Sequence, residues 1–136
     1  MFGRLACATI ALATLPTLSS ARAETASSLA IPLAASTDIQ RQVVTYSCKA
    51  KKGASSAKLR GMLSEKLVNV SYINAGDISL AVLTIDSKTQ VFTNVIAGSG
   101  AKYAAAEYVW WTKGDDAMFS SEMDASAMVN CHEIKG

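Results

Sequence analysis

Histidine is nearly missing from this chain: among 136 residues there is one, His132, beside Cys131 near the C-terminus. A single imidazole without converging carboxylates offers little for general acid–base work, and it reads as a surface residue. Asp115 and Asp116 are neighbours in sequence. They belong to a turn and do not face each other as a glycosidase's paired carboxylates do. One histidine beside cysteines that oxidise cannot build a zinc site. Gly98-Ser99-Gly100-Ala101-Lys102 lacks the spacing and the following helix of a phosphate loop. These shortages argue against an enzyme, and no metal or cofactor is expected. A membrane-spanning run is missing as well. The apolar stretch from Leu5 to about Leu18 is broken by small residues and Pro16, and it falls short of the ~20 residues that cross a bilayer.

That stretch has another use. Arg4 precedes it and Ala21-Arg22-Ala23 closes it, which is the positive, apolar and small-residue order of a secretory signal. Residues 1–23 are therefore expected to be a signal peptide, cleaved before Glu24. The rival, a buried N-terminal helix, has no second apolar helix to pack against. A lipoprotein needs a cysteine at the cleavage point, whereas Cys7 lies inside the apolar run. The expected product is soluble and periplasmic, without a membrane anchor, and long enough for one domain.

The formal charge of +2 includes Arg4 and Arg22, so residues 24–136 carry 11 basic and 11 acidic groups. A nucleic-acid binder would show a basic excess, and none is expected as a partner. The charge is uneven, however. Residues 24–66 hold seven basic and three acidic groups, and residues 67–136 hold four and eight. The acidic surplus favours encounter with a cationic partner. Beyond the signal two cysteines are left, Cys48 and Cys131. In an exported chain these most simply form one disulfide; the alternative is two free thiols.

Residues 24–42 are rich in Ala, Ser and Thr and show no burial period, so they read as a flexible lead-in. The domain is expected over 43–136. Val43–Ala50 is β-branched and aromatic, as in a strand. Residues 51–65, with Lys51, Lys52, Lys58 and Arg60, read as a basic mobile loop with room for a helical turn near Ala57–Leu63. From Lys66 the period is two. Val68, Val70 and Tyr72 alternate with polar residues, and Ile78, Leu80 and Val82 with Ser79 and Ala81. Further strands follow at Val91–Ile96, Lys102–Ala105, Tyr108–Thr112, Ala117–Ser121 and Ala127–Cys131. Turn signals separate them at Asn74–Asp77, Asp86–Lys88, Gly98–Gly100 and Gly114–Asp116. About eight short strands without a crossover helix predict an all-β antiparallel barrel or sandwich.

The most unusual stretch is 98–114, which holds both tryptophans. Alternation puts Tyr108 and Trp110 on one face and Val109 and Trp111 on the other, so at least one tryptophan is expected to be packing alone. Within this stretch Ser99-Gly100-Ala101-Lys102-Tyr103 resembles the Ser-Gly-x-x-Tyr motif of the MliC/PliC family of inhibitors of c-type lysozyme. Tyr108-Val109-Trp110-Trp111-Thr112-Lys113-Gly114-Asp115 resembles that family's second motif. Tyr46-Ser47-Cys48 and Asn130-Cys131 fit it too, so the resemblance runs over about 43–134.

The resemblance implies a small eight-stranded antiparallel β-barrel with one disulfide. It implies a c-type lysozyme as protein partner, with Ser99, Gly100, Lys102, Tyr103 and Lys113 as the binding residues and no catalytic ones. Ser99 and Lys113 would enter the lysozyme cleft, Gly98 and Gly100 would keep the loop slim, and Tyr103 would hold its shape. Two departures stand out: residues 49–65 are longer and more basic than usual in the family, and Lys102 stands where arginine is common. The rival function is a small barrel that binds a hydrophobic ligand, which the bulk of the inward residues disfavours.

Overall fold

The computed structural model describes residues 27–63 and 66–136; the signal expected over 1–23 lies outside them. Residues 27–38 hold no strand or helix. Eight strands follow: β1 (Ile39–Ala50), β2 (Leu67–Ala75), β3 (Ile78–Ile85), β4 (Lys88–Val95), β5 (Ala101–Ala105), β6 (Tyr108–Lys113), β7 (Asp116–Ser121) and β8 (Asp124–Glu133). One helix, α1 (Ala54–Met62), joins β1 to β2. Each strand pairs antiparallel with the next and β8 returns to β1, so the barrel is closed. Closure leaves no unpaired edge. Strand β1 opens at Ile39, ahead of the Val43 start expected, because Ile39–Gln42 find ladder partners in Ala75–Tyr72.

The inward residues fill the barrel. Trp110, Phe92, Phe119, Val70 and Val129 are fully buried, with Tyr46 and Tyr103 nearly so. Tyr46 meets Trp110 edge-on at 5.2 Å between ring centres, and Tyr108 lies 5.5 Å from Phe119, geometries that aromatic pairs favour. The polar atoms among them are satisfied: Trp110 Nε1 donates to the Tyr72 hydroxyl at 2.8 Å, and the Tyr72 and Tyr46 hydroxyls share a bond of 2.9 Å. Burial pushes both tyrosine hydroxyls above their usual range, so they stay neutral hydrogen-bonding groups.

Strand β3 faces the other way from the simplest reading. Ala81, Leu83 and Ile85 are buried, whereas Ile78, Leu80 and Val82 lie half-buried on the outside. Ala81 is the register partner of both Tyr72 and Phe92, and a methyl group is what fits between those two rings.

The basic loop expected over 51–65 is largely a helix. Its Leu59 is buried, as is Leu63 just beyond it. Ser56, also fully buried, donates to the Ser126 carbonyl and accepts from the Met128 N–H, both at 3.0 Å. Arg60 Nε donates to the Cys48 carbonyl at 2.8 Å. A nine-residue helix containing Gly61 is marginal alone, so docking on the barrel stabilises it. Connections in an up-and-down barrel alternate between ends. Helix α1 and the β3–β4, β5–β6 and β7–β8 turns therefore share one end, and the β4–β5 loop and the β2–β3 and β6–β7 turns share the other.

Cys48 and Cys131 are bonded and stand opposite each other in the β1–β8 ladder, where they lock the seam that closes the barrel. At a sequence separation of 83, a chain-entropy argument gives the bond about 4–5 kcal/mol. Replacing both cysteines by serine is expected to cost about 2–5 kcal/mol. Each kcal/mol lowers Tm by about 4–8 °C in a domain of this size. Calorimetry of the double variant checks this, and an unchanged Tm would contradict it.

Candidate functional site

The site lies at the barrel end away from α1. Strand β4 ends at Val95, and residues 96–100 form an exposed loop before β5. Two contacts fix the path of that loop. Gly100 has φ +66°, a left-handed angle that side chains resist. It also lies so close to β6 that an added Cβ would sit 2.1 Å from the Thr112 carbonyl oxygen and 3.1 Å from its carbon. Trp111, facing outward from β6, donates its indole N–H to the Ser99 carbonyl at 2.9 Å. The Thr112 hydroxyl adds a bond to the Ala101 carbonyl at 3.3 Å.

The two tryptophans thus divide the work that alternation along one strand allows. Trp110 fills the core, and Trp111 clamps the loop. Lys102 lies half-buried with its ammonium over the Trp111 ring, 5.8 Å from the ring centre, and 3.7 Å from Glu122, a cation–π contact to the clamping indole. Asn94 Nδ2 holds the Lys102 carbonyl at 3.1 Å. Tyr103 points inward and is buried, its ring 5.8 Å from that of Tyr72 and its hydroxyl 3.4 Å from the Ser79 hydroxyl.

Of the five residues singled out in the sequence, Ser99 and Lys113 share an open groove of about 550 Å³. Gly100 shapes the loop between them. Tyr103 and Lys102 stand behind, one in the core and one over the clamp. Lys113 is the exposed last residue of β6, directly across from Asp116. The groove continues over Trp111, Met118 and Asn130. Neither the Ser99 hydroxyl nor the Lys113 ammonium meets an intramolecular hydrogen-bond or ion-pair partner among the described residues. The surrounding charges are engaged instead. His132 Nδ1 lies 2.8 Å from Asp116 Oδ1, and the Lys135 ammonium, 2.7 Å from Asp115, holds that carboxyl below its usual range. No three His, Cys, Asp or Glu side chains converge as metal ligands among the described residues.

Sequence reasoning did not find the Trp111 clamp or the Asp116 and Asn130 walls. A pair of adjacent tryptophans on a strand was the available signal for the first, since only one of them can face in. The walls come from β7 and β8 and are brought beside Lys113 by pairing alone.

The family described as "Membrane-bound lysozyme-inhibitor of c-type lysozyme" matches residues 64–128. A Pseudomonas aeruginosa protein called membrane-bound lysozyme inhibitor of C-type lysozyme is 61% identical over 49 residues, which is 35% of this chain and 39% of that protein. A protein of the same description from Cupriavidus necator is 37% identical over 70 residues, 48% of this chain and 56% of that protein. The aligned part thus spans about half or less of these curated relatives. A solved structure gives the longer comparison. The crystal structure of Pseudomonas aeruginosa MliC in complex with hen egg white lysozyme superposes with a TM-score of 0.60 at 34% identity, over 82% of this chain and 100% of that one. Identity at that level over a whole chain, on the same closed barrel, shows descent as well as fold: this chain belongs to the MliC family of lysozyme inhibitors.

Proposed function

We propose that this protein is an exported inhibitor of c-type lysozyme that blocks the enzyme's cleft without chemistry of its own and protects cell-wall peptidoglycan from the periplasm. Lysozyme acts through two carboxyl groups that flank the glycosidic bond. A slim loop ending in a hydroxyl, beside an ammonium group, matches that pair: Ser99 hydrogen-bonds one carboxyl and Lys113 adds a charge-assisted bond. The observation that carries the reading is that Ser99 and Lys113 have no partner among the described residues yet line the same groove. Their neighbours Trp111, Gly100 and Lys102 are all engaged in holding the loop still. A loop ordered beforehand loses less entropy on binding. The relatives' description and the lysozyme bound to the solved MliC support the same partner.

The rival reading, a barrel holding a hydrophobic ligand, meets an interior already occupied by Trp110, Phe92, Phe119, Tyr46 and Tyr103. The test is lysis of a cell-wall suspension by a c-type lysozyme with the purified protein titrated in. Lysis should fall to near zero once inhibitor exceeds enzyme. Undiminished lysis at large molar excess would defeat the proposal.

A further inference from the structure

Two open grooves lie side by side on the outer wall of the barrel. The one already described holds Ser99 and Lys113. The other, of about 460 Å³, runs over Ser47, Lys49, His132 and Ile134. Asp116, Asn130 and Cys131 line both, so the two are one depression. Strand register explains its course. Trp111, Met118, Asn130 and Lys49 are successive ladder partners across β6, β7, β8 and β1. Lys113, Asp116, His132 and Ser47 make the neighbouring outward row, nearer the loop end. Between the rows the side chains turn inward, and Ala117, Cys131 and Cys48 are buried there.

The Ser99 loop and Lys113 alone make a small contact. A stable protein complex covers about 800 Å² on each partner, or about 20–30 residues, so an inhibitor that works through this loop needs flanking surface. A loop inserted into a cleft has the cleft's lips on either side of it, and the depression lies directly beside the loop. Met118 and Ile134, the latter 47% exposed, give it apolar contacts. At its far edge Lys49 is exposed and forms no hydrogen bond or ion pair among the described residues. The Asp116 carboxylate, by contrast, is engaged by His132 at 2.8 Å.

We infer that this depression over β7, β8 and β1 seats one lip of the lysozyme cleft, with Lys49 pairing with a carboxylate on that lip. The inference rests on the inhibitor reading and extends it from two side chains to a surface. Lys49 stands three strands from Lys113, about 14 Å along the sheet at ladder spacing. Outward side chains on a closed barrel diverge, so the two ammonium groups address separate places on the partner. Charge at the margin of an interface sets specificity. A c-type lysozyme with a carboxylate at this place on its lip is therefore inhibited more tightly than one without.

The experiment measures the inhibition constant of the exported protein and its variants against a c-type lysozyme, with the Tm of each. Lys49→Glu should raise the constant about fivefold or more, because an exposed ion pair contributes up to about that factor and reversal adds repulsion. Lys49→Arg should keep the potency of wild type. Asn130→Trp places neutral bulk on the shared wall. Interface cores pack as tightly as protein interiors, so it should raise the constant about tenfold or more. Tm should hold in these variants, since both side chains are exposed. Thr84→Trp, at an exposed position on β3 across the barrel from β7, should inhibit like wild type. Lys49→Glu combined with Lys113→Ala should multiply the separate losses, as independent contacts do. Wild-type potency in either Lys49→Glu or Asn130→Trp would overturn the inference and leave the Ser99 and Lys113 contacts standing. So would a dimer of the protein that Asn130→Trp dissociates without loss of inhibition. If Asn130→Trp lowered Tm, Lys49→Glu alone would decide. Undiminished lysis with wild type in large excess would remove the inhibitor reading and this inference with it.

Discussion

Replacing Gly100 by alanine is expected to raise the inhibition constant against a c-type lysozyme by about a hundredfold, with the barrel still folded. The new methyl group would lie 2.1 Å from the Thr112 carbonyl oxygen and 3.4 Å from the Lys113 Cα. Both obstacles are backbone of a central barrel strand and cannot swing aside. The residue would also sit at φ +66°, which costs an L-amino acid about 1–2 kcal/mol. The loop must lift away from β6. In doing so it stretches the Trp111–Ser99 bond and moves the Ser99 hydroxyl relative to Lys113. A misplacement of about 1 Å between groups that must act together can cost about a hundredfold. Gly98→Ala is the matched control, because a Cβ there meets nothing within 4 Å and its φ is ordinary. It should inhibit like wild type. If Gly100→Ala and Gly98→Ala inhibited equally well, the close approach would have no role in the loop's function.

The Ser99→Ala, Lys113→Ala pair is the second large effect. Losing a hydrogen bond to a charged group costs about 1.5–3 kcal/mol, so each single variant should weaken inhibition roughly tenfold to a hundredfold or somewhat more. The double variant should lose less than the product of the two, since in the proposed mode both groups address one carboxyl pair and contacts that share a partner couple. Stability should hardly change: Ser99 and Lys113 are exposed, and neither side chain is bonded within the fold among the described residues. Lys88→Ala, on the opposite end of the barrel, serves as control. The measurement is the inhibition constant and Tm for each variant. Full potency in the double variant would remove these two side chains from the mechanism even if the protein still inhibited through another surface.

The two substitutions differ in what they disturb. The first moves an intact hydroxyl, and the second removes it from an intact loop. Salt should separate them. Lys113→Ala deletes a charge, so its potency should depend less on ionic strength than that of wild type, whereas Gly100→Ala keeps the charge and should keep more of that dependence.

Much of the barrel was legible in the sequence because strand alternation and turn chemistry are local. Asp86 and Ser87, both at positive φ, form the two-residue loop that hairpins favour, and the spacing announced it. Val68, Val70 and the cysteine pair were placed correctly by the period of two and by the count of cysteines beyond the expected signal. The candidate site's polar pair came from motif resemblance, and Ser99 and Lys113, only fourteen positions apart in sequence, line one groove. Local pattern failed where both faces of a segment were apolar or where a segment was stable only through docking. Along β3 either face could be core by hydrophobicity. The choice fell to Ala81 because the barrel needs a small residue between Tyr72 and Phe92, and those rings come from neighbouring strands. Helix α1 has little amphipathic signal of its own, and its stability comes from Ser56, Leu59 and Arg60 meeting β8 and β1.

The sequence by itself determined the eight short antiparallel strands, their turns, the single cysteine pair and the loop that carries Ser99, all of which depend on residues close together in the chain. Only the tertiary structure decided which tryptophan fills the core and which clamps the loop. It alone also decided that Asp116 and Asn130 wall the groove beside Lys113. Those are relations between strands, set when closing the barrel fixes every register at once, and no periodicity along one strand encodes what its neighbours bring alongside.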